Sequence, residues 1–241
     1  MQYNLMEVIM KKGFTLSEIL ITLGVIGVIA AMTLPSVVKN YQKKSVETRL
    51  KKSYSLLSQT IKRAEVDNDT LDHWDYTLTA EEFADKYIMP YIKAEKIEFG
   101  KWFKEIKGTV HKDTLSESLA LQLADGSIWY IRQNSSVVNK TIIVIDINGK
   151  HGRNIGGKDI FFFEILPEKR VNYNCGWGNF AKNVTVPGLY YDGYGINDSN
   201  LKTDEWRGCM KNDNNKTNYA FCTALIVKNN WKIPDDYPIR F

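Results

Sequence analysis

Among its 241 residues the chain has only three cysteines and three histidines. So small and odd a cysteine count excludes a dense disulfide framework. Histidines scattered at His73, His111 and His151 leave no material for a His-rich metal centre or a His-based catalytic cluster. Charge of one sign is also in short supply. Against 28 Asp and Glu stand 32 Lys and Arg, and a formal +4 is too little to single out a nucleic acid or an anionic membrane as partner. No nucleophile stands beside a matching base and acid in the local sequence, so nothing points to an enzyme. The run Gly156-Gly157-Lys158 lacks the earlier glycine and the following Ser or Thr of a phosphate loop. Long apolar runs are absent as well, with one exception.

That exception is Ile19 to Val38, twenty positions without a formal charge. At about 1.5 Å per residue a helix of this length spans about 30 Å, the thickness of a bilayer's hydrocarbon core. A buried helix of a soluble protein would keep a solvated face, and this segment has none. A secretory signal has a shorter apolar core and no acid at its mouth. A plain single-pass anchor fits the length but gives no role to Glu18, which stands at the entrance. A carboxylate at the edge of hydrocarbon costs a few kcal/mol unless it meets a counter-charge. A cut between Gly13 and Phe14 creates one: a free amine four residues from Glu18. An axially shifted neighbouring helix would bring its own new amine to this carboxylate and fix the register between parallel helices.

The stretch Lys12-Gly13-Phe14-Thr15-Leu16-Ser17-Glu18, with the apolar run behind it, closely resembles the N-terminus of type IV prepilins and type II secretion pseudopilins. The resemblance implies cleavage after Gly13 by a prepilin peptidase, N-methylation of Phe14 and an assembly role for Glu18. Pro35 falls where many such subunits carry a helix-bending proline, and its missing N–H should kink or loosen the helix. Leaders of this family are often short and basic, so Met10-Lys11-Lys12-Gly13 is an expected alternative to a leader of residues 1–13. Gly24, Gly27, Ala30 and Ala31 offer positions for close backbone approach, or are simply the small residues common in membrane helices.

Beyond Val38, Val46, Leu50, Tyr54, Leu57, Ile61 and Ala64 recur every three or four residues among polar ones, an apolar stripe on a solvated helix. One helix from about Thr15 to Val66 is expected, ending at Asp67-Asn68-Asp69. Thr79 and Glu82 form a capping box for a short helix carrying Phe83, Tyr87 and Ile88 inward and stopping near Pro90. Leu119–Leu123 and Ile128–Ile131 flank a tight turn, and Thr141–Ile147 and Asp159–Leu166 are further strand-like runs. Short links predict an antiparallel meander with one face over the helix stripe. The fold class is thus α+β: a long N-terminal helix, membrane-spanning in its first half, packed on an antiparallel meander head. The expected divisions are a leader at 1–13, a transmembrane and assembly half at 14–38, an amphipathic half at 39–67 and a globular head at 68–241. Within the head the region from about 167 to 241, rich in Asn, Gly, Tyr and Trp, reads as variable loops with one helix at Tyr219–Val227.

Cys209 and Cys222 are the preferred disulfide pair, closing a loop of about 14 residues worth roughly 3 kcal/mol. Cys175 stays free or replaces Cys209, and three reduced cysteines are the alternative. No cofactor is expected, although Asp146, Asn148 and Asp159 supply oxygens and some pseudopilins hold calcium in a head loop. Their spacing is not that of an EF-hand, and Asn-Gly and Gly-Gly turns explain the same residues. Trp177, Tyr190, Tyr191 and Tyr194 suit a surface-binding patch or, more simply, a cluster beneath loops.

The resemblance implies a structural subunit of a type IV pilus or a type II secretion-like pseudopilus, polymerised through its N-terminal helix. Its partners would be prepilin peptidase, other pilin or pseudopilin subunits, membrane lipid before assembly, and an inner-membrane platform with a separate ATPase. No nucleic acid is indicated. The chain would sit in the bacterial inner membrane as a single-pass protein with its head extracytoplasmic, then in an extracellular or periplasmic filament. The alternative is a membrane-tethered extracytoplasmic binding protein with an adhesin-like head that does not polymerise.

Overall fold

The computed structural model describes residues 13–98, 118–134, 140–151, 154–167, 187–205, 207–210 and 219–241. The leader ahead of Gly13, His111, Cys175 and Trp177 lie outside the described residues. Two compact units divide the chain, residues 1–42 and Lys43–Phe241.

Helix α1 (Leu16–Asn68) contributes to both. Its start is a capping box: the Glu18 amide donates to Thr15 Oγ1 at 3.2 Å, and the Thr15 amide and hydroxyl both donate to Glu18 Oε2 at 2.8 Å. Its end is marked by Asp69 at φ 67°, a left-handed residue that breaks the α-helical path. In the first unit every described residue of α1 is exposed, and the best apolar window has none of its residues buried. Two threonine hydroxyls there are satisfied within the helix, Thr22 donating to the Glu18 and Ile19 carbonyls and Thr33 to that of Ile29. Such bonding lets a threonine reside in hydrocarbon. Pro35 lies inside α1, so the Ala31 carbonyl has no intrahelical donor.

In the second unit the stripe turns inward. Val46, Leu50, Ser53, Leu57, Thr60, Ile61 and Ala64 are buried, and Tyr54 packs its ring, tilted, 4.7 Å from Trp231 and 5.6 Å from Phe163. Opposite them is a six-stranded sheet of β1 (Ala94–Ile97), β2 (Leu119–Leu123), β3 (Ile128–Asn134), β4 (Lys140–Asp146), β5 (Ile160–Leu166) and β6 (Gly188–Tyr191). Every pairing is antiparallel and the strand order is the chain order, a meander. Period-two alternation sorts the side chains. Trp129, Ile131, Ile143, Ile145, Phe161 and Phe163 join the α1 stripe in the main core, whereas Ile128, Tyr130, Val144, Ile160 and Phe162 form a second buried layer on the other face. Burial on both faces explains why β5 shows no alternation and is apolar at every position but Glu164.

Helix α2 (Ala80–Tyr87) starts at the Thr79–Glu82 capping box and buries Phe83, Ala84 and Tyr87, with Trp74 stacked on Tyr87 at 4.3 Å. Two short helices, α3 (Asp198–Thr203) and α4 (Cys222–Lys228), complete the head. The loop-rich region expected from about 167 onward therefore contains β6, α3 and α4 among its described residues. β6 is only four residues long, too short for periodicity to stand out. Gly193, at φ 90°, allows the turn after it, and a Cβ there would meet Leu201, Ala224 and Phe221 within about 3 Å.

Candidate functional site

At the mouth of the apolar segment, Glu18 has a local partner that periodicity alone did not reveal. Thr15-Leu16-Ser17-Glu18 has the Thr-x-x-Glu spacing of a capping box, the same signal read at Thr79 to Glu82. Both bonds that the carboxylate accepts fall on Oε2; Oε1 makes no hydrogen bond among the described residues. The group is exposed, so a second donor can approach it without displacing the cap. Phe14 and Gly13 are likewise exposed, and among the described residues no neighbouring atom lies within 4 Å of where a Gly13 Cβ would stand. The Gly13–Phe14 bond is thus sterically open, and Phe14 immediately precedes the capping threonine. Around the helix beyond it, Leu16, Leu20, Ile21, Ile26, Met32 and Leu34 are all more than half exposed. An apolar surface of this extent implies a non-aqueous neighbour, lipid or other helices.

In the head, Asp146 and Asp159 each engage one carboxylate oxygen in a turn, whereas Asp146 Oδ2 and Asn148 Oδ1 are buried without a hydrogen-bond partner among the described residues. Asp146 Oδ1 accepts the amides of Asn148 at 3.0 Å and Gly149 at 2.8 Å, and Asp159 Oδ2 accepts that of Ile155 at 3.3 Å. These are turn contacts, and Gly149 adopts φ 59° to make the turn. Among the described residues no three His, Cys, Asp or Glu side chains converge to hold a metal ion. Burial pushes the Asp146 carboxyl up to about 7, assisted by the nearby Asp159, and burial alone lifts Asp159 to about 6. Both carboxyls are charged above about pH 4 in the unfolded chain but keep their protons to higher pH when folded. The folded state then binds more protons than the unfolded one between about pH 4 and 7, so stability falls as pH rises through that window. We expect the melting temperature of the full chain to drop from pH 4 to pH 7 and then level off. Asp146→Asn keeps the Oδ1 acceptor and should flatten much of that slope, which a pH series of thermal melts will read.

The structure joins Cys209 to Cys222. The bond ties the segment following α3 to the start of α4, and Gly157 packs against it: a Cβ at that position would lie 2.6 Å from Cys222 Sγ and 2.8 Å from the Tyr237 hydroxyl. Tyr237 donates to the Gly157 carbonyl at 2.5 Å, fastening the C-terminal segment to the same spot. Tyr190 and Tyr191 both contact Tyr194, at ring separations of 4.7 and 5.4 Å, in a half-exposed cluster.

Two ion pairs went unnoticed in the sequence. Lys140 and Glu164 meet at 2.5 Å with 6% and 3% of their side chains exposed, and Arg207 grips both oxygens of the buried Asp192 at 2.8 and 3.1 Å. Long sequence separation hides such partners, and no local pattern would have found them.

Residues 36–241 match the model of a family of unknown function (DUF6613), and residues 10–34 match the prokaryotic N-terminal methylation motif. No curated protein and no solved structure matches the chain.

Proposed function

Because the chain belongs to the family of unknown function (DUF6613) and begins as a type IV pilin-like or pseudopilin precursor, we propose that it is a filament subunit of a pilus or secretion pseudopilus. In this reading prepilin peptidase cuts after Gly13, Phe14 is N-methylated, and the mature chain is held in the inner membrane by the first half of α1. It then leaves lipid for a helical polymer, contributing structure and no catalysis. The observation that carries the reading is the wholly unburied apolar half of α1 with a half-occupied carboxylate at its mouth.

Lipid tails are as apolar as leucine, so moving α1 from lipid into a bundle gains little from the hydrophobic effect. Packing at small residues and the internal charge pair must supply the preference. The Phe14 amine of one copy and the Glu18 Oε1 of an axially shifted copy would neutralise each other where dielectric screening is weak. The pair also sets register, since any other offset leaves both charges unmatched. Extraction from the membrane takes an assembly platform with its own ATPase.

Removing prepilin peptidase from the producing cell tests the processing step. The expected chain is heavier by its leader on intact-mass spectrometry, remains in the membrane fraction and is missing from sheared filaments. An unchanged mass and undiminished filaments would overturn the assignment.

A further inference from the structure

Charge is distributed unevenly along the second unit. Residues 43–63 of α1 hold seven Lys and Arg against Glu47 alone, a net +6, whereas residues 65–98 hold ten Asp and Glu against three lysines, a net −7. The charged residues of both stretches are largely exposed. At 100° per residue, Lys44, Lys51 and Lys62 fall within about 20° of one another around the helix, a ridge about 27 Å long on the side away from the buried stripe. Lys52 and Arg63 flank it, and the positions between are the neutral Thr48, Ser55 and Gln59. Glu47 is the one acid beside the ridge, about 60° around the helix from it, and its carboxylate accepts the Ile233 amide at 2.8 Å. Lys52 pairs with Asp125 at 2.8 Å, but Lys44, Lys51, Lys62 and Arg63 have no ion-pair partner among the described residues.

The acidic stretch is matched only in part, and least at Asp69 and Asp72. Lys96 bridges Glu81 and Asp85 at 2.8 Å, and Glu82 is occupied by its capping threonine. Asp67 accepts the Tyr91 hydroxyl at 2.9 Å, and Asp69 and Asp72 have only the exposed His73 as a basic neighbour. These acids follow the C-terminal end of α1, whereas the ridge lies along its preceding turns.

We propose that the basic ridge at Lys44 to Arg63 of one copy docks on the acidic stretch at Asp67 to Asp85 of a second copy displaced along the helix axis. The inference rests on the polymer reading above and deepens it by naming a second contact in the head half of the subunit. Two copies at the same height would set ridge against ridge and repel, whereas an axial offset brings opposite signs together. A contact between two different patches of identical chains is heterologous and repeats into an open helix, as a filament requires. The near-equal opposite charges make a second copy a sufficient partner.

The test uses the full chain in producing cells, reading the amount in sheared filaments relative to the membrane pool. Lys51→Glu with Lys62→Glu should lower incorporation at least about tenfold, as should Asp69→Lys with Asp72→Lys. All four together should return it to within about threefold of the unsubstituted chain. The replaced residues are exposed, and thermal melts of the purified variants check that folding is intact. Single-side variants that assemble normally would overturn the proposal. So would a loss on the ridge side that the fourfold variant fails to rescue, the result expected if the ridge meets anionic lipid or another acidic protein. Failure of the polymer reading gives a different result, with the unsubstituted chain itself missing from filaments.

Discussion

Replacing Glu18 by alanine should leave the chain cut, methylated and membrane-held, yet reduce its incorporation into filaments to background. The side chain caps the helix in the structure and pairs with a neighbour's amine in the proposed reading, so the alanine variant alone is ambiguous. Its Oε2 closes the capping box with Thr15, and loss of a cap costs a helix about 1 kcal/mol. Fraying of the first turn would itself disturb assembly. Glu18→Gln separates the two effects. A glutamine at this position of a capping box keeps the reciprocal bond but carries no charge to neutralise the amine of a neighbouring Phe14. If the charge pair sets register, glutamine fails to assemble as completely as alanine does. If glutamine assembles like glutamate, the carboxylate acts only as a cap and the electrostatic argument is wrong. Membrane fractionation and intact mass show that both variants reach the same starting point before filaments are counted.

The second large effect concerns the head. Lys140→Met should destabilise the fold by about 3–5 kcal/mol, because it leaves the nearly inaccessible Glu164 carboxylate without its cation at 2.5 Å. Charge bookkeeping sharpens the expectation. Asp192, held by Arg207, lies close enough to feel both Lys140 and Glu164, so losing Lys140 removes a cation that acts on both carboxylates. For a head of this size that corresponds to a fall of roughly 10 °C in melting temperature. The double variant Lys140→Met with Glu164→Leu removes the pair as a unit and restores balance, so it should recover most of the lost stability. Thermal melts of the purified full-length chain decide it. A double variant no better than the single would show that the pair matters for packing and not for charge.

The readable parts of this protein are those whose physics is local. The apolar run is unmistakable because hydrocarbon imposes a fixed length on any helix that crosses it. The three-four spacing from Val46 to Ala64, the capping box at Thr79 and the turn at Ala124 to Ser127 all act within a few residues, and each lies where the sequence places it. The meander was legible because short links between strand-like runs leave few other topologies. Less visible were the edge strands β1 and β6, four residues each, whose pairing depends on β2 and β5 and not on their own composition. Helix α3 did carry a signal, since Asn197 caps it by accepting the Asn200 amide at 2.8 Å, but the surrounding glycines and tyrosines concealed a helix of six residues. The two inner ion pairs join residues 24 and 15 apart and have no one-dimensional trace. At the proposed assembly site the sequence drew attention to the charge of Glu18 but not to its capping role, although Thr15 stands three residues ahead as a capping box requires.

The central claim is that a new amine at Phe14 exists and that the polymer depends on it. Tandem mass spectrometry of the N-terminal peptide from chains sheared off as filaments tests this most directly. The account predicts a peptide beginning at N-methylated Phe14, with Gly13 and everything before it absent. Filament subunits that still carry Gly13 and the methionine ahead of it would contradict the account, because the charge that answers Glu18 would then lie at the wrong place.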